Sequence, residues 1–146
     1  MPRWWLTRVR GGSMAPALRD GQLALTRSLR PGSVVRRGDL VVAEIGRRVV
    51  KRVVGLPGEQ VTFRGGVVLI DGVGLIEPYA TSSYFRGDFA VPPGHYLLLG
   101  DERDASDDAR SWRRPYVARQ QLVGRLVRPS PAGTRRRPAG DRRDGT

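Results

Sequence analysis

Short apolar runs rich in β-branched residues recur along the first 128 residues, and glycine or proline separates most of them. Runs of this kind favour short strands over helices. Gly65-Gly66 between two such runs is typical of a hairpin turn. We therefore predict a mostly β fold, either a barrel or packed antiparallel sheets, with short helical turns near 15–19 and 117–121. The predicted strands are 22–26, 40–45, 49–55, 60–64, 67–71, 95–99 and 122–128.

The composition excludes several kinds of site. The chain has no cysteine and one histidine among 146 residues, which argues against disulfides, thiolate metal sites and histidine-rich metal clusters. The formal net charge of +12 is compatible with nucleic acid or an anionic membrane surface as a partner.

The chain divides into three predicted parts: an N-terminal segment at 1–8, a main domain at 9–128 and a tail at 129–146. The tail holds five arginines and no large apolar residue, which is typical of a disordered, solvated segment without a specific partner. Trp4 and Trp5 lie among arginines and suit either a membrane interface or a first strand. Both interpretations stay open. No stretch approaches the ~20 apolar residues that span a bilayer.

Lysine occurs once, as Lys51, whereas arginine occurs 25 times. A coding bias explains the scarcity, but the position of Lys51 inside a run of valines is unusual. Arginine stays protonated in proteins, whereas a desolvated lysine can lose its proton. Burial on a packed sheet face can lower a lysine pKa by ~3–5 units, which would leave a neutral amine able to act as a base. The alternative is a lysine that extends to the sheet edge and stays charged.

Two further segments carry groups suited to catalysis. In Gly11-Gly12-Ser13, the glycines allow a backbone that approaches a ligand closely, and the hydroxyl is a potential nucleophile with N–H donors nearby. The same tripeptide is common in ordinary loops. Residues 100–110 are a dense polar stretch with two interpretations. It is either a solvated loop with weak ion pairs or a loop whose side chains hold the catalytic groups in position. In the second interpretation, Ser106 orients an amine while Asp108 and Arg110 hold the loop.

Together and in this order, these segments resemble type I signal peptidases, the membrane-bound Ser-Lys proteases that remove signal peptides from secreted preproteins. Any single segment is a weak match, whereas four in order at plausible spacing are specific. The resemblance covers roughly residues 9–128. Its segments are Ser13-Met14-Ala15-Pro16-Ala17-Leu18, Arg37-Gly38-Asp39-Leu40-Val41, Lys51-Arg52-Val53-Val54-Gly55-Leu56-Pro57-Gly58-Glu59, and Gly100-Asp101-Glu102-Arg103 with Ser106, Asp108 and Arg110.

The resemblance implies a signal-peptidase-like β domain that cleaves preproteins after small residues, at sites of the Ala-X-Ala type. Ser13 would be the nucleophile and Lys51 the general base. Gly12 and the Ser13 N–H would stabilise the oxyanion, and Ser106 would orient the lysine. Four more residues would be structural supports: Asp101, Arg103, Asp108 and Arg110. The resemblance implies neither a metal nor an organic cofactor. A Ser-His-Asp triad of Ser13, His95 and Asp101 is disfavoured.

The resemblance also implies membrane association, with the catalytic domain on the extracytoplasmic face if an anchor exists. In the family an anchor normally precedes the nucleophile, where only 12 residues stand in this sequence. Three explanations are open: a misassigned start, an anchor on another polypeptide, or peripheral binding through Trp4, Trp5 and neighbouring arginines. Gly11, Ala17, Glu102 and Ala109 depart from the family pattern, and none of them belongs to the Ser13–Lys51 pair.

Other functions remain as alternatives. A soluble Ser-Lys maturation protease and a self-cleaving repressor-type protease would share the chemistry, although 12 residues cannot hold the DNA-binding domain that such repressors carry. A basic β-barrel that binds nucleic acid or a membrane surface without catalysis would fit the net charge. We expect no specific nucleic acid partner, because aromatic residues interleaved with basic ones are few. A degenerate peptidase acting as a membrane-surface adaptor is the last alternative.

Overall fold

The structure is a computed structural model, which describes residues 1–78, 80, 83–101, 103 and 108–127. It is built from strands, with one short 3₁₀ helix at Arg119–Gln121. All seven predicted strands are present, to within a few residues at their ends. The strands are β1 (Trp4–Arg8), β2 (Leu23–Ser28), β3 (Leu40–Glu44), β4 (Arg48–Gly55), β5 (Gln60–Arg64), β6 (Val67–Ile70), β7 (Val73–Gly74), β8 (Gly87–Ala90), β9 (His95–Leu99), β10 (Tyr116–Ala118) and β11 (Leu122–Leu126).

The strands form two antiparallel sheets. The larger has the order β1-β2-β11-β3-β4-β9-β10, and the smaller has the order β7-β6-β5-β8. Both sheets are open. Of the two predicted forms, the structure therefore has packed antiparallel sheets and not a closed barrel. Strand β1 was one of two interpretations of the Trp4-Trp5 segment, and it pairs with β2 along its whole length. Strands β7, β8 and β10 were not predicted, because they have two to four residues and little apolar alternation.

Local sequence explains several connections. The predicted hairpin at Gly65-Gly66 joins β5 to β6, with Arg64 opposite Val67. The helical turn predicted near 15–19 is a single turn, in which the Leu18 N–H donates to the Met14 carbonyl at 2.9 Å. The turn predicted near 117–121 is the 3₁₀ helix. In the turn before β3, Asp39 forms an ion pair with Arg125, whose Nη1 lies 3.3 Å from Asp39 Oδ2.

Buried apolar side chains form three clusters, and one of them lies beneath the region of Ser13. Met14 and Leu18, which follow the serine, pack there against residues of three strands. This cluster consists of Val9, Met14, Leu18, Ala24, Leu40, Val42 and Leu126. Burial of such side chains contributes roughly 1.5–3 kcal/mol each, so the serine loop is fixed to the large sheet at its C-terminal side.

A bidentate ion pair closes the turn that follows β4. Arg37 Nη1 and Nη2 each donate to a carboxylate oxygen of Glu59 at 2.7 Å, and the Leu56 N–H donates to Glu59 Oε1 at 2.6 Å. Burial acts to raise the pKa of Glu59, but the hydrogen bonds and the charge of Arg37 outweigh it. The pKa of Glu59 therefore lies below its ordinary value. The pair ties β4, which carries Lys51, to the turn before β3.

Substitution of Glu59 should show this stabilisation directly. Since the folded-state pKa of Glu59 is lowered, its contribution is present above the unfolded pKa of about 4.3 and is lost as the pH falls below that value. Glu59→Gln should lower the free energy of unfolding by about 1–3 kcal/mol at pH 7 and by much less at pH 3. Urea unfolding at the two pH values measures this.

The matched control is Glu44→Gln, because Glu44 forms an exposed pair with Arg48. Exposed pairs contribute about 0–1 kcal/mol, so this variant should unfold nearly like the wild type at both pH values. If Glu59→Gln lowered the free energy of unfolding equally at pH 7 and pH 3, the charge of the Glu59 carboxylate would not contribute to stability.

Candidate active site

The structure brings Ser13 and Lys51 together, although 38 positions separate them in the sequence. Lys51 Nζ donates to Ser13 Oγ at 2.9 Å. Lys51 lies on β4 between half-buried Val50 and buried Arg52 and is itself 5% exposed, whereas Ser13 is half-buried. The serine hydroxyl and a desolvated amine therefore share one hydrogen bond at the surface of the sheet.

The loop that carries Ser13 is held from its N-terminal side by backbone geometry. Gly11 has a φ of 78°, a left-handed conformation that other residues rarely adopt. Its N–H donates to Asp20 Oδ1 at 2.9 Å, and the Gly12 carbonyl accepts from the Ala15 N–H at 3.1 Å. The predicted need for glycine before the serine thus has a structural reason, whereas the contribution of Asp20 was not predicted.

A groove of about 690 Å³ runs from Ser13 and Lys51 along the inner side of β1. Its walls come from β1 and the serine loop on one side and from the β3–β4 hairpin on the other. The ionisable side chains along the described lining are all basic: Arg8, Arg10, Arg47, Arg48 and Lys51. The shape suits an extended peptide better than a compact ligand.

Beside Lys51, Arg52 forms a buried ion pair that the sequence did not predict. Arg52 Nε and Nη2 donate to the two carboxylate oxygens of Asp101 at 2.8 and 2.6 Å, and Arg52 Nη1 donates to the Gly38 carbonyl at 2.8 Å. The side chains of Arg52 and Asp101 are 3% and 0% exposed. The pair joins β4 to the end of β9 and to the Arg37-Gly38-Asp39 turn, next to the lysine.

The other predicted support residues form a second network. Asp108 Oδ2 accepts from the Gly100 N–H at 2.9 Å, and Arg110 Nε donates to Asp108 Oδ1 at 2.9 Å. Arg103 Nε donates to the Gly100 carbonyl at 2.7 Å, and its Nη1 donates to Glu77 Oε1 at 3.0 Å. The sequence analysis did not predict Glu77 as the partner of Arg103. Ser106 and Glu102 lie outside the described residues, and so does the 129–146 tail.

His95 takes no part in this constellation. Its Nδ1 lies 2.8 Å from the Pro93 carbonyl, and Asp101 is engaged by Arg52. The Ser-His-Asp arrangement that the sequence analysis disfavoured is not formed. Among the described residues, no group of three or more histidine, cysteine or acidic side chains is placed to hold a metal ion.

A match to a protein-family model decides the family. The model described as "Signal peptidase, peptidase S26" matches residues 4–130. The chain belongs to this family. Signal peptidase S26 members are serine peptidases, hydrolases of peptide bonds, and the suspected resemblance is thereby confirmed.

Individual relatives agree with the family match. A signal peptidase I of Leptolyngbya laminosa is 41% identical over 105 residues, which cover 63% of this chain and 51% of the relative. One from Bacillus caldolyticus is 31% identical over 137 residues, covering 81% and 74% of the two chains. This chain spans about half the length of the first relative.

A solved structure shows the same fold. The crystal structure of a signal peptidase I from Enterococcus faecalis V583 matches with a TM-score of 0.56 and 31% sequence identity, over 65% of this chain and 98% of that one. The predicted signal-peptidase-like β architecture is thereby confirmed. Within the described part of this chain, no helix has the length and apolar character needed to cross a bilayer.

Proposed function

We propose that this chain is the catalytic unit of a signal peptidase in which Ser13 is the nucleophile and Lys51 the general base. The observation that carries the proposal is the 2.9 Å hydrogen bond between Lys51 Nζ and Ser13 Oγ at one end of a peptide-sized groove. Taking an amine out of water favours its uncharged form, which a general base requires. We take residues 9–128 as the catalytic domain. Strand β1, which precedes this domain, adds one strand to its larger sheet.

The reaction follows from these two groups. The neutral Lys51 amine accepts the Ser13 proton as Oγ attacks the scissile carbonyl carbon, which forms a tetrahedral oxyanion. The resulting ammonium gives its proton to the leaving amine nitrogen as the peptide bond breaks. The amine then takes a proton from water as the water oxygen attacks the acyl-enzyme ester. The ammonium returns this proton to Ser13 Oγ as the ester bond breaks, which releases the carboxylic acid product and restores both groups. General-base help of this kind is worth roughly 10²–10⁴-fold in rate.

The oxyanion needs donors that are in place before the reaction. We assign this role to the main chain at Gly12 and Ser13, where the loop is fixed on one side by Asp20 and on the other by buried Met14. A preorganised donor of this kind contributes about 10²–10³-fold to kcat. Ser106 is proposed to orient Lys51, and Asp101, Arg103, Asp108 and Arg110 are proposed to hold the surrounding loops.

The groove beside Ser13 supports a substrate with small residues near the cut. Met14, Val42 and Val50 line it close to the catalytic pair, together with Val9. An extended peptide presents alternate side chains to one face, so the first and third residues before the cut would face this apolar lining. We therefore propose cleavage of preprotein signal peptides after Ala-X-Ala sequences.

Cleavage of a synthetic peptide with one Ala-X-Ala site, in lipid micelles, tests this function. Mass spectrometry should show a cut after the second alanine by the wild type and none by Ser13→Ala. A cut at another position would contradict the proposed specificity. A wild-type protein that does not cleave the peptide under these conditions would contradict the proposed catalytic role. It would favour the alternative of a degenerate peptidase that acts as a membrane-surface adaptor.

We further propose that the catalytic unit contacts an anionic membrane through an outer patch on the β1–β2 hairpin, on the extracytoplasmic face. The patch consists of Trp4, Leu6, Leu23 and Leu25, all at least 44% exposed, with Arg27 Cζ 5.6 Å from the Trp4 ring centroid. Exposed apolar side chains beside basic ones suit a surface with anionic headgroups.

Vesicle sedimentation measures this contact. Leu6 and Leu25 are cross-strand neighbours, so Leu6→Ser with Leu25→Ser removes the centre of the outer patch. We expect roughly tenfold weaker binding to phosphatidylglycerol vesicles. The matched control is Val73→Ser with Ile76→Ser, which changes exposed residues elsewhere. Equal binding by both double variants, or none by the wild type, would exclude this surface.

A further inference from the structure

The side chains from Trp4 to Val9 alternate in exposure. Trp4, Leu6 and Arg8 are exposed, whereas Trp5, Thr7 and Val9 are half-buried or buried. The groove lining includes all of them except Trp4. Among the described strands, β1 is the outermost of its sheet and pairs only with β2. A strand in this position has one edge whose N–H and C=O groups face away from the sheet, towards an added strand.

The Trp5 side chain packs against the larger sheet in a defined position. Its indole reaches across Thr26 of β2 to Gly124 of β11, where a Cβ would lie 2.8 Å from Trp5 Cζ2 and 2.6 Å from Thr26 Cγ2. Such distances are too short for any side chain larger than hydrogen, so glycine at 124 makes room for the ring. The Thr7 and Thr26 hydroxyls lie 2.6 Å apart beside it. The ring is thereby held as part of the groove wall.

The side chains of this groove wall repeat with the same period as the side chains of an extended substrate. Val9, Thr7 and Trp5 follow one another at intervals of two residues, which is the period of side chains on one face of any strand. Trp5 lies four residues from Val9, or about 13 Å at about 3.3 Å per residue. Four residues of extended substrate cover the same distance, from the first residue before the cut to the fifth.

We propose that Trp5 forms a subsite for an apolar side chain at the fifth residue before the scissile bond. This inference rests on the proposed function, because it takes Ser13 as the point of attack. Val9 and Thr7 then face the first and third substrate residues, and the indole faces the fifth. Trp5 is the only aromatic residue in the described groove lining, which also contains the basic Arg47 and Arg48.

Two soluble peptides that differ only at the fifth residue before the cut, leucine or serine, test the subsite in lipid-free buffer. The wild type should cleave the leucine peptide with a kcat/KM roughly five- to tenfold higher. Trp5→Ala should cleave the two peptides equally. Trp5→Leu, which keeps an apolar surface, should retain part of the preference.

Tyr84→Ala is the matched control, since Tyr84 is 90% exposed and lies outside the groove lining. This variant should keep the full preference. Gly124→Ala should reduce it, because the added methyl group displaces the ring. Equal cleavage of both peptides by the wild type, or an unchanged preference in Trp5→Ala, would overturn the proposal.

Peptide binding separates this inference from the proposed function. In Ser13→Ala protein, fluorescence anisotropy of labelled peptides reports the same preference without turnover. A leucine preference that is lost with Trp5→Ala in this background supports the subsite even if the wild type proves inert, which would contradict the proposed function alone. Equal binding of both peptides would contradict the subsite alone.

Discussion

Lys51→Arg should lower kcat for an Ala-X-Ala peptide by about 10²–10⁴-fold, the range expected when a general base is lost. Arginine keeps the positive charge but cannot give up its proton, so it cannot accept the Ser13 proton. The 2.9 Å contact between Lys51 Nζ and Ser13 Oγ is the structural basis for this expectation. Steady-state kinetics by chromatography of the products measures it.

Lys51→Met removes the base and the charge without the bulk of a guanidinium, and it should be about as inactive as Lys51→Arg. Thermal melting of both variants establishes that they are folded. A folded Lys51→Arg protein that cuts within twofold of the wild-type rate would refute the assignment of Lys51 as base. Cleavage by Ser13→Ala at the wild-type rate would refute the assignment of Ser13.

Asp101→Asn should lower the free energy of unfolding by about 3–5 kcal/mol, because it leaves the Arg52 guanidinium buried without its counter-charge. The wild-type pair is bidentate, and both side chains are at most 3% exposed. Domains of this size are stable by about 5–15 kcal/mol, so the loss is a large fraction of the total. Urea unfolding followed by tryptophan fluorescence measures the change.

A double replacement separates the buried charge from packing. Arg52→Met with Asp101→Leu removes both charges, and it should recover much of the stability that Asp101→Asn alone loses. The control is Asp88→Asn, whose exposed carboxylate accepts from Thr62 Oγ1 at 2.7 Å, and which should cost less than about 1 kcal/mol. Equal effects of Asp88→Asn and Asp101→Asn would show that burial of the pair contributes little.

Much of the fold was predictable because strands are encoded by local patterns. The β-rich runs Gln60–Arg64 and Val67–Ile70, with Gly65-Gly66 between them, predicted a hairpin that the structure contains. Strands of two to four residues, such as β7 and β10, have too few side chains to show a period. Their position depends on neighbouring strands that are distant in sequence, such as β9 for β10.

The candidate site was predictable in part. Ser13 and Lys51 were singled out from their surroundings and from the family resemblance, whereas their contact depends on how the serine loop packs against a sheet built from strands distant in sequence. Asp101 was named as a support, but its partner Arg52 was not, because 25 arginines offer many candidate partners. Asp20 gave no signal, since an exposed aspartate in a polar loop is ordinary.

The sequence by itself determined the seven predicted strands, the glycine-dependent serine loop and the single lysine among valines, because each depends on residues close together in the chain. Only the tertiary structure decided that Trp5 faces the groove while Trp4 faces outward, and that Arg52 rather than another arginine meets Asp101. The physical reason is that a strand's period fixes which residues share a face, whereas the packing of distant strands decides which face is buried.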